Sequence, residues 1–253
     1  MIYDLQRASV LKRISAFMFD VIMLAVVAVG IAFLLSTVLG YDAQTARLDE
    51  LYDSYAKEYS VDFDISYEDY EKLSAEEKGR YDEALKALSA DNEAVYVYSM
   101  IINLTIIIMT FSVLISYLAL EFAIPLFFKN GQTLGKKIFG IGLMRTDGVR
   151  LSALQLFTRT VLGKCTLETL LPAFLIILVY FNAMGVVATI VIGGIAIAQI
   201  ALLFATKNRS QIHDLISGTV AIDMASQLIF ETPEALLEYK KKLHEEKAEK
   251  SEY

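Results

Sequence analysis

The sequence predicts an all-α transmembrane helical bundle with four spans and with both the N- and C-termini in the cytoplasm. Of its 253 residues, 55% are hydrophobic and 21% are charged, and the mean hydropathy of +0.47 is too high for a soluble domain of this length. The charges are segregated, since residues 42–93 hold 16 acids and six bases whereas residues 129–164 hold seven bases and one acid. Because base-rich loops stay in the cytoplasm, the first segment is predicted to lie outside and the second inside.

Residues 1–41 comprise a short polar lead and the first span. Residues 14–39 form an apolar run of 26 residues, and as a helix this run would be roughly 39 Å long, enough to cross the ~30 Å hydrocarbon core. Asp20 lies within it and should face protein or water, either as a structural contact between helices or as a functional group. Arg13 leans away from Asp20 along the helix, so Arg13 is expected to anchor the membrane surface and Asp20 to find its cation elsewhere.

Residues 42–94 are predicted to form an acidic, extracytoplasmic, helical insertion. Ser74 and Glu77 have the spacing of a capping box, which begins a helix that runs to about residue 89. The pattern of residues 45–59 suits a second helix. The scarcity of bases agrees with a location outside the membrane.

Residues 95–128 are predicted to form the second span, in which four polar side chains share a face. Asn103, Thr110, Tyr117 and Glu121 lie at offsets of 0, 7, 14 and 18 residues, which in an α-helix places them within roughly 40° of one direction. Such a polar stripe either lines a water-filled path or hydrogen-bonds to neighbouring helices. It should be wet in a transporter and dry in a scaffold.

Residues 129–166 are predicted to be a basic cytoplasmic loop that begins with a β-hairpin. Residues 137–145 alternate in the manner of a β-strand, and Asp147 and Gly148 are a hairpin turn signal. Residues 219–222, which follow the last span, are partly β-branched and are a second candidate partner for the same strand.

An amphipathic helix is predicted to follow the hairpin. Ser152 and Gln155 have capping-box spacing, and the helix begins at residue 153, carries Arg159 and ends near residue 165. It is predicted to lie at the inner membrane surface and to continue into the third span.

Residues 167–206 are predicted to be a transmembrane helical hairpin that turns at residues 182–185. Residues 207–253 follow as a cytoplasmic motif and a charged tail. The motif contains the dipeptide of His213 and Asp214, which alone is weak evidence of catalysis because adjacent side chains diverge by about 100° on a helix.

Three charged residues resemble the signature of the RDD family of membrane proteins, which is named for one arginine and two aspartates. They are Arg13, Asp20 and Asp214, the last within the motif His-Asp-Leu-Ile-Ser-Gly-Thr. The stretch Gly-Gln-Thr-Leu-Gly-Lys-Lys-Ile-Phe-Gly at residues 131–140 and Arg159 are also similar to the family's pattern. The resemblance covers the spans and cytoplasmic loops but neither the acidic insertion nor the charged tail. It implies a protein associated with transport, with undefined ligands and no general enzymatic role.

The family signature and the physical argument predict one polar cluster at the cytoplasmic side of the membrane. Asp20 is expected to accept charge-assisted hydrogen bonds from Arg159, while Asp214 orders Arg13. In a carrier, Asp20 and Glu121 would be the proton or cation sites. The complete predicted cluster is Arg13, Asp20, Glu121, Arg159, His213 and Asp214.

Two classes of function follow from these features. The first is transport of ions or small solutes, with cation or proton exchange as the first candidate and monovalent cations or protons as ligands. The alternative is a non-transporting membrane adaptor or assembly factor that binds partners through its outer domain and tail. No catalytic motif is present, so no enzymatic activity, cofactor or metal is expected, and no nucleic acid. The expected partners are the lipid bilayer and a second copy of the chain, and the expected location is a bacterial plasma membrane, as a multi-pass cell membrane protein.

Overall fold

The computed structural model describes residues 4–128, 130–180, 185–206, 208 and 210–251. The chain divides into two compact units: unit 1 comprises Met1–Leu24 and Tyr117–Tyr253, and unit 2 comprises Ala25–Ser116. The α-helices of the first half are α1 (Val10–Val38), α2 (Tyr41–Tyr59), α3 (Tyr67–Lys72), α4 (Ala75–Ala90) and α5 (Asn92–Leu118).

The second half is also mostly helical. Its α-helices are α6 (Ile124–Phe127), α7 (Leu134–Ile138), α8 (Ala153–Phe157), α9 (Leu171–Tyr180), α10 (Gly185–Ala205), α11 (Ile212–Ser217) and α12 (Pro233–Ser251). Two stretches have π-helical hydrogen bonding, π1 (Ala119–Ala123) and π2 (Thr158–Leu170), and two strands form a sheet, β1 (Ile141–Arg145) and β2 (Thr219–Asp223).

Among the described residues, three helices are long and apolar enough to cross a membrane. They are Val10–Val38, Asn92–Phe127 and Gly185–Leu202. Residues 167–180 of the segment predicted as a further span lie in the continuous helix that α8, π2 and α9 form together, and residue 181 lies outside the described residues. Most of its predicted turn, at residues 182–184, lies outside the described residues.

Unit 2 contains the predicted helical insertion. The predicted helix at residues 45–59 lies within α2, and the predicted capping box is present at the start of α4. There the Glu77 backbone N–H donates to Ser74 Oγ at 3.3 Å, and Glu77 Oε2 accepts from the Ser74 backbone N–H at 2.8 Å. Helix α2 packs on α4 around a small apolar core that contains Leu51 and Leu88. The insertion is therefore folded rather than an extended acidic loop.

The sheet of unit 1 joins two distant segments. Strands β1 and β2 are antiparallel, with Ile141 opposite Asp223 and Arg145 opposite Thr219. This pairing confirms the prediction that residues 219–222 pair with the strand ending at Arg145. The N-terminal segment lines the other edge of β2, where the Ala8 backbone N–H donates to the Ala221 carbonyl at 3.2 Å.

The predicted local hairpin is present only at its turn, where the Arg145 backbone N–H donates to the Val149 carbonyl at 2.9 Å. The turn is present, since the Gly148 backbone N–H donates to the Arg145 carbonyl at 3.0 Å, but Val149 makes a parallel bridge to Phe230. Residues 137–138 belong to α7 rather than to the strand. Only three residues separate Gly148 from the Ser152 cap. This segment is therefore too short to pair with all five residues of β1, whereas β2 does so with a largely buried strand.

The predicted amphipathic helix begins where expected but changes its hydrogen bonding. The capping box of Ser152 and Gln155 is present, and the helix continues into α9. From Thr158 onward it is π-helical, and this wider turn changes which side chains share a face. Arg159 is buried while Leu154 and Leu162 are exposed.

The predicted polar stripe does not form one buried face. Tyr117 and Glu121 are buried, but Asn103 and Thr110 are exposed. Within unit 1 the π2 segment covers the end of the second long helix, where Thr160 Oγ1 donates to the Glu121 carbonyl at 3.2 Å. The π1 turn also shifts Glu121 from the direction that α-helical spacing gives it.

Candidate functional site

One buried carboxylate, that of Asp214, joins three segments of unit 1. Its Oδ1 accepts two hydrogen bonds from Arg159, from Nε at 3.1 Å and from Nη2 at 2.8 Å. Its Oδ2 accepts from Arg13 Nη2 at 3.1 Å and from the Gln211 backbone N–H, also at 3.1 Å, which caps α11. Asp214 is 1% exposed and Arg159 is 4% exposed. The carboxylate therefore ties the start of α1, the π2 segment and α11 together.

This geometry confirms one predicted pair and corrects another. Asp214 does order Arg13, as expected. Arg159 does not bind Asp20; its Nε and Nη2 both donate to Asp214 Oδ1. The π-helical turn that carries Arg159 lies against α11, where Asp214 is the acid within reach.

Asp20 is held by neutral donors instead. Its Oδ2 accepts from Thr133 Oγ1 at 2.5 Å, and its Oδ1 accepts from the Gly135 backbone N–H at 2.8 Å. Thr133 is also the N-cap of α7, where its hydroxyl accepts from the Lys136 backbone N–H. A Cβ at Gly135 would overlap the Ala16 carbonyl oxygen and lie 2.9 Å from Asp20 Oδ1, so this close approach of α1 and α7 requires glycine.

The surroundings of Asp214 keep it ionised. Burial opposes its negative charge, but the guanidiniums of Arg159 and Arg13 hold the pKa of the Asp214 carboxyl well below its usual range. Removal of these cations would leave a buried charge without compensation.

The side chain of His213 contacts an acid other than Asp214, its neighbour in the sequence. Its Nδ1 lies 2.8 Å from Glu168 Oε2, and its backbone N–H donates to Glu168 Oε1 at 2.9 Å. Glu168 also hydrogen-bonds to Gln199 of α10. Burial, reinforced by the charge of Arg159, lowers the pKa of the His213 imidazole, so the ring is neutral at neutral pH. His213 Nε2 is 3.6 Å from Asp214 Oδ1, so the two residues belong to separate hydrogen-bonded groups rather than to a catalytic dyad.

Glu121 is paired with a base that the sequence argument did not assign. Lys164 Nζ lies 2.5 Å from Glu121 Oε1 and 6.0 Å from the centre of the Tyr117 ring. The sequence contained a signal for this pair, because Lys164 is a charged residue close to the predicted transmembrane hairpin that begins at residue 167. Which acid each base meets depends on the π-helical turn, which the sequence pattern did not reveal.

A cavity of about 190 Å³ lies among these groups within unit 1. Its wall holds the cationic side chains of Arg13, Lys136, Arg159 and Lys164, whereas Asp20 is the acid among the described lining residues. The apolar part of the wall includes Val10, Ile14, Phe17 and Ile141.

Most of the predicted cluster therefore meets at one place. Arg13, Asp20, Arg159 and His213 line the cavity, and Asp214 is hydrogen-bonded to two of them. Glu121 joins through Lys164. Asn103 and Thr110 belong to unit 2 and are not part of this site. Over the described ranges, no group of three or more His, Cys, Asp or Glu residues could hold a metal ion.

Long apolar helices and a charged cluster buried beside them define an integral membrane protein. The model of the RDD family matches residues 7–218, which is most of the chain and contains every residue of the cluster. The chain belongs to the RDD family. No curated protein and no solved structure matches it significantly.

Proposed function

We propose that this protein carries a small solute or ion across a bacterial plasma membrane, with exchange of monovalent cations or protons at Asp20 as the first candidate. The proposed topology has four spans and cytoplasmic termini. The acidic insertion is then outside, and the base-rich segment that holds the cavity residues Lys136 and Arg159 is inside.

The observation that carries the proposal is the location of Asp20 and the kind of hydrogen-bond donors that its carboxylate has. It lines the cavity, and its hydrogen-bond donors are the neutral Thr133 hydroxyl and Gly135 N–H. Asp214 and Glu121, by contrast, are already ion-paired. A proton or a monovalent cation could therefore bind Asp20 without breaking a buried ion pair, whereas binding at Glu121 would require Lys164 to leave.

Ion flux in vesicles tests this proposal. Reconstituted wild-type protein is compared with Asp20→Asn and with the control Asp147→Asn, which removes an exposed acid bound to Arg145. Gradients of Na⁺, K⁺ and H⁺ are imposed in turn. We expect flux of at least one ion through the wild type and the control and its loss in Asp20→Asn. Undiminished flux in Asp20→Asn would contradict the role of this carboxylate.

A non-transporting adaptor is the second candidate, and the folded insertion favours it. The insertion has its own core, which includes Leu51, Leu88 and Ala94, so it can present a fixed acidic surface to a partner. Absence of flux for every ion, together with specific capture of a protein by the intact chain but not by a chain lacking residues 42–91, would favour the adaptor.

A second copy of the chain is the remaining proposed partner. A Cβ built at Gly193 or Gly194 of α10 meets no described atom within 4 Å, and small residues on an open face allow close helix approach. Neither candidate function includes an enzymatic step.

A further inference from the structure

Besides Asp20, the cavity wall of unit 1 carries a group of basic side chains that suits an anionic ligand. Four of the described lining residues are basic and Asp20 is the one that is acidic. Arg13 and Arg159 both bind the carboxylate of Asp214. Both oxygens of Asp20 already accept hydrogen bonds from Thr133 and Gly135.

Lys136 is the base in this wall with the least compensation. Its ammonium lies 3.2 Å from Thr133 Oγ1, and in the described part of the chain it makes no ion pair within 4.0 Å. Burial lowers the pKa of Lys136 to about 8, partly offset by the attraction of Glu121, so the group is mostly protonated at neutral pH. A half-buried ammonium without a bound carboxylate is a group that an anionic ligand would stabilise.

The other side of the cavity is formed by a helix of membrane-spanning length. Ile14 and Phe17 of α1 line the cavity and are nevertheless 52% and 53% exposed. Their exposed surfaces belong to the apolar run Val10–Val38. The cavity thus has a cationic interior beside an apolar wall whose outer surface suits lipid.

We propose that this cavity binds a phosphate group, and that its occupant is the headgroup of an anionic phospholipid. A basic pocket between helices at the membrane surface suits such headgroups. The volume of about 190 Å³ is below the roughly 300–1,000 Å³ of pockets that enclose whole drug-sized ligands. It therefore suits a headgroup whose acyl chains stay outside, along Ile14 and Phe17. This binding is independent of whether the protein transports an ion.

Native mass spectrometry of the purified full-length protein tests the proposal. Phosphatidylglycerol and phosphatidylcholine are titrated onto the wild type, Lys136→Gln and the matched control Lys137→Gln. Lys137 is the adjacent base, but it is exposed, lies 3.8 Å from the centre of the Phe128 ring and is not in the described cavity wall. We expect one tightly held phosphatidylglycerol in the wild type and in the control, and about tenfold weaker binding in Lys136→Gln.

A second measurement uses wild-type protein alone and separates the two sources of phosphate. Inorganic phosphate is compared with chloride at equal ionic strength as a competitor of phosphatidylglycerol. Displacement by phosphate alone indicates a site that also accepts the free anion, and resistance to both indicates a site that needs the lipid. Equal binding of the two lipids by the wild type, or equal binding of phosphatidylglycerol by wild type and Lys136→Gln, would overturn the proposal. Neither result depends on ion flux.

Discussion

Two regions of the molecule use the same ion-pair arrangement in opposite surroundings. In unit 1, the carboxylate of Asp214 is shared by Arg13 and Arg159, and it is 1% exposed. In unit 2, the guanidinium of Arg47 is shared by Glu50 and Glu93 at 2.8 and 2.6 Å, but its side chain is 47% exposed. The N···O distances are similar, so distance alone does not distinguish a buried structural cluster from an exposed ion pair that adds little stability.

Burial gives the two arrangements different consequences. Asp214 itself is buried, so its charge depends on the two guanidiniums that bind it. Around Arg47, water can solvate any charged group that loses its partner, and salt screens the attraction between Arg47 and its two acids. The first arrangement can hold three chain segments in place, whereas the second adds little to the fold of the insertion.

The largest expected effect follows removal of the shared carboxylate. Asp214→Asn keeps the shape of the side chain but leaves Arg13 and Arg159 without their acid, and we expect the free energy of unfolding to fall by about 3–5 kcal/mol. Denaturant unfolding of the purified protein in detergent measures it. The matched variant Glu93→Gln, which removes one acid from Arg47, should change the unfolding midpoint little. Equal losses in the two variants would remove the distinction between the regions.

A smaller effect is expected at two glycines. Gly135→Ala places a Cβ against the Ala16 carbonyl oxygen and beside Asp20 Oδ1, so either α7 moves or the Asp20 hydrogen bonds break. We expect a loss of about 1–3 kcal/mol, measured in the same unfolding experiment. Gly79→Ala in α4 meets no described atom within 4 Å and should stabilise the helix by about 0.5–1 kcal/mol. A stabilising Gly135→Ala would show that α1 and α7 do not approach each other this closely.

The smallest effect is a change in pH dependence at His213. Its pKa is lowered in the folded protein, so below the unfolded value of about 6.5 the unfolded chain binds a proton that the folded chain does not. The contribution of His213 to the free energy of unfolding is therefore complete above about pH 6.5 and declines as the pH falls below this value. The pKa of the Asp214 carboxyl is also lowered, but the stability that depends on this carboxylate begins to fall only below about pH 3.9.

Melting temperatures of His213→Gln between about pH 5 and 8 measure this contribution. The slope below about pH 6.5 should be shallower than in the wild type, whatever the absolute stability of the variant. The control His244→Gln, on the exposed side of the tail helix, should keep the wild-type slope. An unchanged slope in His213→Gln would mean that another group takes up the proton.

Features encoded locally were predictable from the sequence. The capping boxes at Ser74 and Ser152 depend on residues three positions apart, and both are present. The pairing of β1 with β2 was also predictable as one option, because β2 is an apolar, partly β-branched segment with few alternatives nearby. The pair of Arg13 and Asp214 was predicted from the resemblance to the RDD family signature, together with the need of a charge near the membrane to meet an opposite charge.

The remaining partners depend on geometry that the pattern did not show. The two π-helical segments change the direction of Glu121, Arg159 and Lys164, so α-helical spacing could not assign their acids. Asp20 turned out to bind a hydroxyl and a backbone N–H, although a cation was expected. Neutral donors are common in proteins, whereas bases are few, so a search for a matching charge overlooks such solutions.

A double-mutant cycle on Arg159 and Asp214 tests most directly the claim that this buried ion pair organises the site. The free energies of unfolding are measured for the wild type, Arg159→Met, Asp214→Asn and the double variant. We predict that the double variant loses less stability than the sum of the single losses, with a coupling of about 1–3 kcal/mol, because removing both charges leaves neither without its partner. Additive losses, within about 0.5 kcal/mol, would contradict the account.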